Sequence, residues 1–196
     1  RFTYEDIVTS GKCDSYGAEF FFQKKTGKFT GWIGYTLSWT WLQFDELNFG
    51  KRFPARYDRR HDISLVGTYK ITERITLSAV WVYGTGNAIT LPLSTYSTPV
   101  LPYSNNNGGY SNIFANDYGD KNSFRMSAYH RLDISVQFHK QRKHFERIFE
   151  FGVYNVYNRH NAFYYDTVVD PDTKQTKLIQ VSLFPIIPSV SWTFKF

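Results

Sequence analysis

The segment 188–196 constrains the fold of this chain more than any other stretch of the sequence. Its apolar and polar side chains alternate, and successive side chains of a β-strand point to opposite faces of the sheet. One face of such a strand is therefore aromatic and apolar, and the other is polar. The apolar positions are Val190, Trp192, Phe194 and Phe196, and the polar positions are Ser189, Ser191, Thr193 and Lys195.

The same alternation recurs earlier in the chain. Each further segment has the length of a strand, and the pattern as a whole predicts seven amphipathic strands. The six further segments are 15–23, 29–41, 62–70, 75–83, 131–138 and 147–158.

Segment 147–158 is the least regular of the seven. Phe149, Phe151 and Val153 share a parity that would also place Asn155 on the apolar face. We therefore expect a β-bulge near Tyr154, since one extra residue resets the alternation.

The connections between these strands alternate between short and long. Outer-membrane barrels have short periplasmic turns and longer external loops, whereas a soluble sandwich has no reason to sort its loops by length. The sequence therefore predicts an all-β fold, an antiparallel transmembrane β-barrel whose apolar face meets lipid. The short connections are 26–28, 72–74 and 140–146, and the long ones are 44–60, 92–128 and 158–187.

Composition is compatible with this prediction. Aromatic residues make up 19% of the chain, and the mean hydropathy is −0.42. Tyrosine and tryptophan favour the interfacial belts of membrane barrels, and no apolar run approaches the ~20 residues of a spanning helix. The lone cysteine, Cys13, argues against a disulfide-bonded secreted domain. No signal peptide is visible, so we expect a leader outside this sequence.

The net charge of +6 raises the alternative of a nucleic-acid or anionic-surface protein. The densest basic run, 139–144, lies in a predicted short turn and lacks the interleaved aromatic residues that stack on bases. The aspartates of segment 170–174 resemble the start of a calcium loop, but the glycine and the closing glutamate are missing. We predict a solvated turn and a hairpin tip, with no nucleic-acid partner and no metal.

The number of strands raises a question about closure. Single-chain bacterial barrels have an even number of strands with both ends in the periplasm, and seven strands do not satisfy that rule. Either segment 2–9 supplies an eighth strand, or the chain is the C-terminal part of a larger barrel. Segment 2–9 alternates poorly, because Asp6 shares the parity of Phe2 and Tyr4.

Several motifs resemble the later barrel strands of TonB-dependent outer-membrane receptors. They span nearly the whole chain, in the order of that family's C-terminal third. The most specific is 53–62, which reads Phe-Pro-Ala-Arg-Tyr-Asp-Arg-Arg-His-Asp. Segments 15–38, 81–86, 153–159 and 184–190 carry the rest, including Val-Tyr-Asn-Val-Tyr-Asn-Arg at 153–159.

The resemblance implies a particular organisation. In this family a barrel of about 22 strands surrounds a plug, so residues 1–196 would be its last seven strands, without plug or earlier strands. The implied location is the outer membrane of a Gram-negative bacterium. The implied partners are the remainder of the receptor, TonB through the missing N-terminal part, the barrel-assembly machinery and outer-membrane lipid, with a surface lipoprotein as a further candidate.

The resemblance also implies roles for individual residues. Arg131 and Asp133 lie two residues apart on the lumenal face, where they can pair with each other or contact the plug. Trp192, Phe194 and Phe196 would form the aromatic assembly signal. The implied function is energised uptake of a large nutrient. The alternative is a complete eight-stranded outer-membrane barrel with a structural or adhesive role.

An enzymatic reading finds little support in the sequence. His61 and Asp62 are adjacent, so a strand directs them to opposite faces, and His130 and Asp133 also have opposite parity. No zinc cluster, phosphate loop or strong Ser-His-Asp signature is present. We expect no catalysis and no cofactor. For His61 we expect hydrogen bonds to local partners, among them Asp58, Arg59, Arg60 and Asp62, that anchor a long loop.

The loop 92–124 is the candidate ligand-binding segment. Aromatic rings and amide side chains stack on and hydrogen-bond uncharged parts of sugars, peptides or siderophore-like ligands. A surface loop without a ligand is the alternative, and the sequence leaves both open. The candidate residues are Tyr96, Tyr103, Asn105, Asn106, Asn107 and Tyr110.

Overall fold

The computed structural model describes residues 8–99, 112–169 and 176–196. These residues form an all-β structure of antiparallel pairs with a short 3-10 turn at Asn48–Gly50, which confirms the predicted fold class at this level. The strands are β1 (Gly11–Lys24), β2 (Phe29–Phe44), β3 (Phe53–Pro54), β4 (His61–Thr72), β5 (Ile75–Gly84), β6 (Ala88–Ile89), β7 (Pro92–Pro99), β8 (Asn112–Tyr118), β9 (Phe124–Arg125), β10 (Tyr129–Gln141), β11 (Glu146–Tyr154), β12 (Ala162–Val169), β13 (Thr176–Ser182) and β14 (Ile187–Lys195).

Seven long strands form one sheet in the order β1, β2, β4, β5, β10, β11, β14, with β3 beside β2. Each long strand lies beside the next long strand along the chain, so the sheet is a meander. The seven predicted strands are thus confirmed. The described sheet is open, and β1 and β14 are its edges. Among the described residues, no helix has the length and apolarity required to cross a membrane.

The pairing register places the apolar parities of neighbouring strands opposite each other. Ile134 on β10, for example, lies between Ala79 on β5 and Val153 on β11. A shift of one residue would move a strand's whole apolar set to the other face, so this register gives the sheet one apolar face and one mainly polar face. Further rows of the apolar face are Ile33–Leu65–Trp81, Phe29–Tyr69–Leu77 and Phe138–Phe149–Trp192.

The apolar face is open to its surroundings. On the inner strands of the sheet, Ile33 is 48% exposed, Tyr69 44% and Phe138 46%. Cross-strand aromatic stacking, such as that of Tyr16 on Trp39 with centroids 5.5 Å apart, adds order to this face. Large apolar side chains are therefore exposed on several neighbouring strands of this face.

The short connections lie at one end of the sheet and the long ones at the other, as predicted. Gly27, at φ +97°, supports the first short turn, and Thr72 Oγ1 accepts hydrogen bonds from the backbone N–H groups of Arg74 and Ile75 in the second. The third closes with a 2.8 Å bond from Arg142 N–H to the Phe145 carbonyl. This turn is shorter than the expected 140–146 link, because β10 continues to Gln141.

The long connections contain hairpins of their own. β12 pairs with β13, in agreement with the predicted hairpin around 170–174, whose tip lies outside the described residues. β7 pairs with β8, and β6 with β9. The predicted long connection between β5 and β10 therefore contains a hairpin that the irregular side-chain pattern of 92–124 did not indicate.

The irregularity predicted near Tyr154 lies one residue later. Val153 is opposite Ile134, so a regular ladder would place Asn155 opposite Leu132. Instead, Val156 N–H donates to the Leu132 carbonyl at 2.8 Å, which leaves Asn155 as one extra residue. Asn155 has φ +54°, a left-handed conformation that asparagine tolerates better than most residues.

The described chain forms two compact units. One comprises the described residues of the ranges Arg1–Ser15, Thr40–Asp58 and Asn87–Arg125, and its buried apolar residues are Phe53 and Ala88. The other comprises Tyr16–Trp39, Arg59–Gly86 and Met126–Phe196, and buries Met126 and Ile148.

Candidate functional site

A polar cluster centred on Arg131 lies on the polar face of β10. Arg131 Nε is 2.9 Å from Asp133 Oδ2, so these two side chains pair as their spacing predicts. Arg131 Nη1 donates to the hydroxyls of Tyr129 at 3.0 Å and Tyr154 at 2.7 Å, and the guanidinium carbon lies 4.1 Å from the Tyr154 ring centroid. The Arg131 guanidinium is therefore held by partners on two adjacent strands, β10 and β11.

Asp133 connects this cluster to the turn after β11. Its Oδ1 accepts a 2.9 Å hydrogen bond from the backbone N–H of Asn155. Asn155 is 1% exposed, and its side chain donates to the carbonyls of Arg159 at 3.0 Å and Phe184 at 3.3 Å. Asn155 Oδ1 also accepts from Arg159 N–H at 3.0 Å. The buried amide therefore joins both ends of the connection between β11 and β14.

The next residues of the segment 153–159 continue this attachment. Asn158, at φ +52°, accepts a 3.0 Å bond from Ile186 N–H through its Oδ1, and Arg159 Nη2 donates to the Ala128 carbonyl at 3.0 Å. Sequence reasoning missed Asn155 as a structural residue. Its position could have been predicted, because Asn155 is an asparagine at a break in the alternation and left-handed backbone positions favour asparagine.

Replacing Asp133 by alanine is expected to lower the free energy of unfolding by about 1–3 kcal/mol, because Arg131 and Asn155 N–H both lose an acceptor. Chemical denaturation of the purified protein measures this change. Asp62→Ala is the matched control: its ion pair with Arg59 is longer, at 3.4 Å, and both side chains are more than 40% exposed. That variant should lose less than about 1 kcal/mol, and an equal loss in both would contradict the role given to Asp133.

A shallow polar hollow of about 230 Å³ adjoins the cluster. Four small residues that line this space, Ser78, Ser135, Gly152 and Ser189, lie opposite one another on four neighbouring strands and leave it unfilled. Asp133, Glu150 and Tyr154 also line it. Glu150 accepts a 2.7 Å bond from Gln137. The lining is mixed: it also includes Val80, Ile134 and Val153, and the carboxylates of Asp133 and Glu150 already accept hydrogen bonds within the sheet.

Two histidines, His61 and His130, contact tyrosines. His61 Nδ1 is 2.9 Å from the Tyr35 hydroxyl, and His130 Nδ1 is 2.8 Å from the Tyr157 hydroxyl. His61 N–H also donates to Thr85 Oγ1 at 3.1 Å. Its expected anchoring position at the start of β4 is correct, but the partners are across the sheet, because Arg59 pairs instead with Asp62. Across residues 8–99, 112–169 and 176–196, no cluster of three or more His, Cys, Asp or Glu side chains could hold a metal.

Asp58, within the motif 53–62, is a buried carboxylate at 1% exposure. Its Oδ1 accepts a 2.7 Å bond from Thr40 N–H, and the Arg125 guanidinium contacts both its side chain and its carbonyl. These bonds tie β2, the following connection and β9 together. The sequence did not identify this pair, since 67 residues separate its members.

The aromatic residues of β14 form a ladder on its apolar side. The Trp192 and Phe194 rings stack with their centroids 5.4 Å apart. The ring centroid of Phe145, in the third short turn, lies 6.0 Å from that of Phe194 and 6.2 Å from that of Phe196. The Arg147 guanidinium lies 5.6 Å from the Trp192 ring centroid. The three residues predicted to act as the assembly signal thus share one exposed edge of the sheet.

The proposed ligand-binding residues fall largely outside the described structure. Tyr96 lies on β7 opposite Ala115 and is 52% exposed. Tyr103, Asn105, Asn106, Asn107 and Tyr110 lie outside the described residues, so their grouping with Tyr96 stays a prediction.

Comparisons with protein-family models, curated proteins and solved structures find no match for this chain.

Proposed function

We propose that this chain forms part of the transmembrane β-barrel of an outer-membrane receptor of the TonB-dependent type, which takes up a large nutrient. The observation that carries the proposal is the register of the sheet. It collects the apolar side chains of consecutive strands on one exposed face, while serines, threonines and charged pairs occupy the other. This is the division between lipid and lumen in a membrane barrel.

Strand length supports the same proposal. The seven long strands have 9–16 residues each, and a tilted strand needs about 9–11 residues to cross the hydrocarbon core. Their connections sort by length onto the two ends of the sheet. The short turns would then lie in the periplasm, and the long connections would lie outside the cell.

The proposal includes further strands beside β1 and β14. These edge strands each have one neighbour in the described sheet, and an unpaired backbone group in hydrocarbon costs several kcal/mol. The resemblance to TonB-dependent receptors implies a plug inside the barrel. The hollow beside Arg131 and Asp133 would face that plug. Ligand capture by loops and plug, followed by plug displacement driven through TonB, completes the proposed mechanism.

Electrophoresis of outer-membrane fractions tests the proposal. An antibody against this chain should detect a species well above 23.0 kDa, the mass of residues 1–196. The electrophoretic mobility of this species should change on boiling, because a folded barrel migrates differently from the unfolded chain. A heat-modifiable species near that mass would instead favour the eight-stranded barrel. A band confined to the soluble fraction would contradict both.

Replacing Trp192 and Phe194 together by alanine is expected to lower the amount of receptor in the outer membrane severalfold. The change removes the exposed aromatic ladder of β14, whereas ligand affinity of the inserted molecules should change little. Quantitative blotting and ligand binding to intact cells measure the two effects. The control pair, Ser191→Ala and Thr193→Ala, lies on the opposite face of β14; an equal loss there would refute the aromatic assembly role.

A further inference from the structure

The short-turn end of the sheet is strongly basic. The three hairpin segments 24–28, 70–74 and 140–147, which we call the basic rim, contain nine lysine or arginine residues and two glutamates. Their net charge is +7, against +6 for the whole chain, so the rest of the chain is net negative by one. Within the rim, Glu146 is already engaged by His139 at 3.0 Å and by Lys195 at 3.8 Å.

An apolar hollow of about 380 Å³ opens beside the first hairpin of this rim. Its floor consists of Gly31, Gly67 and Ala79, which lie opposite one another on β2, β4 and β5 and present almost no side-chain volume. Larger apolar side chains surround the floor. They include Phe22, Phe29, Ile33, Leu65 and Trp81.

Lys24 lies at the margin of this hollow. It has the same strand parity as Phe20 and Phe22, so it stands on the apolar face where β1 ends. A lysine in that place extends its ammonium toward the polar boundary while its methylene stem stays on apolar surface. Lys25 and Lys28 follow in the adjoining turn. Hydrocarbon walls below a group of ammonium charges match a ligand with an acyl chain and an anionic head.

We propose that the hollow binds one anionic phospholipid, with an acyl chain over Gly31, Gly67 and Ala79 and the phosphate at Lys24 and its turn. This inference rests on the proposed membrane location, because it assigns the short-turn end to the level of the inner-leaflet head groups. The row of small residues determines where the acyl chain can lie, because aromatic and branched side chains fill the neighbouring rows of the apolar face.

Native mass spectrometry of the complete receptor in detergent tests the site, with dioleoylphosphatidylglycerol as the probe. We expect one molecule to remain bound at low lipid concentration, and Lys24→Gln to weaken this binding about fivefold or more. Ala79→Phe, which fills the floor without changing charge, should weaken it similarly. Lys12→Gln removes the same charge at the other end of β1 and should leave binding unchanged.

Two further probes identify what is recognised. Dioleoylphosphatidylcholine tests the head-group charge and should bind more weakly, and inorganic phosphate tests the head alone and should not displace the lipid. Equal retention by the parent, Lys24→Gln and Ala79→Phe proteins would overturn the site, as would displacement by phosphate. If the receptor is found in the outer membrane but the variants bind the lipid as the parent does, only the lipid-site inference fails. If the receptor is absent from the outer membrane, the proposed function fails as well.

Discussion

Replacing Ile134 by arginine is expected to destabilise the protein in a bilayer by about 2–4 kcal/mol, the cost of an arginine on the lipid face near the membrane midplane. Ile134 lies in the middle of β10 on the apolar face, between Ala79 and Val153. Reversible denaturant unfolding of the protein in lipid vesicles measures the difference between variant and parent.

Its neighbour provides the matched control. Ser135 lies opposite Ser78 and Gly152 in the row of small polar-face residues, where an added arginine projects beside the polar hollow. Ser135→Arg should therefore cost much less than Ile134→Arg. Similar losses for both would show that the two faces of β10 do not differ in environment.

Replacing Asn155 by alanine is expected to cost about 2–4 kcal/mol of unfolding free energy. A non-glycine residue without a local hydrogen-bonding side chain is disfavoured in the left-handed conformation by about 1–2 kcal/mol, and φ is +54° here. The change also leaves the backbone groups of Arg159 and Phe184 without their buried partner, at about 1–3 kcal/mol. Thermal or denaturant unfolding of the purified protein gives the total.

Asn155→Gly separates these two contributions. Glycine adopts the left-handed conformation freely but makes no side-chain hydrogen bonds, so its loss should reflect the missing bonds to Arg159 and Phe184. It should be smaller than the loss in Asn155→Ala. A glycine variant as unstable as the alanine variant would show that the backbone conformation contributes little.

Strand parity could be predicted from the sequence because each long strand has two chemically distinct faces. Ile134 and Ser135 are assigned to opposite faces by alternation alone, and the observed register agrees. The Arg131–Asp133 pair could equally be predicted from the sequence, since two residues at i and i+2 on one strand must share a face. These predictions depend only on local geometry.

The remaining features depend on contacts between distant parts of the chain. Asn155 joins Asp133 to Phe184, and Asp58 meets Arg125, and no local pattern specifies either set of partners. The β7–β8 pair was missed for a related reason. Its side chains do not alternate cleanly between apolar and polar, so only the backbone pairing of Tyr96 with Ala115 reveals the hairpin.

Spin-label scanning of residues 131–138 in lipid bilayers tests the central claim, that this sheet crosses a membrane with its apolar face toward lipid. Cys13, the free and exposed cysteine, is first replaced by serine, and each position is then labelled in turn. Oxygen, which partitions into hydrocarbon, should collide most with labels at Leu132, Ile134, Val136 and Phe138, whereas a water-soluble relaxation agent should favour the alternate positions. An absence of two-residue periodicity, or higher oxygen accessibility at Asp133 and Ser135, would contradict the account.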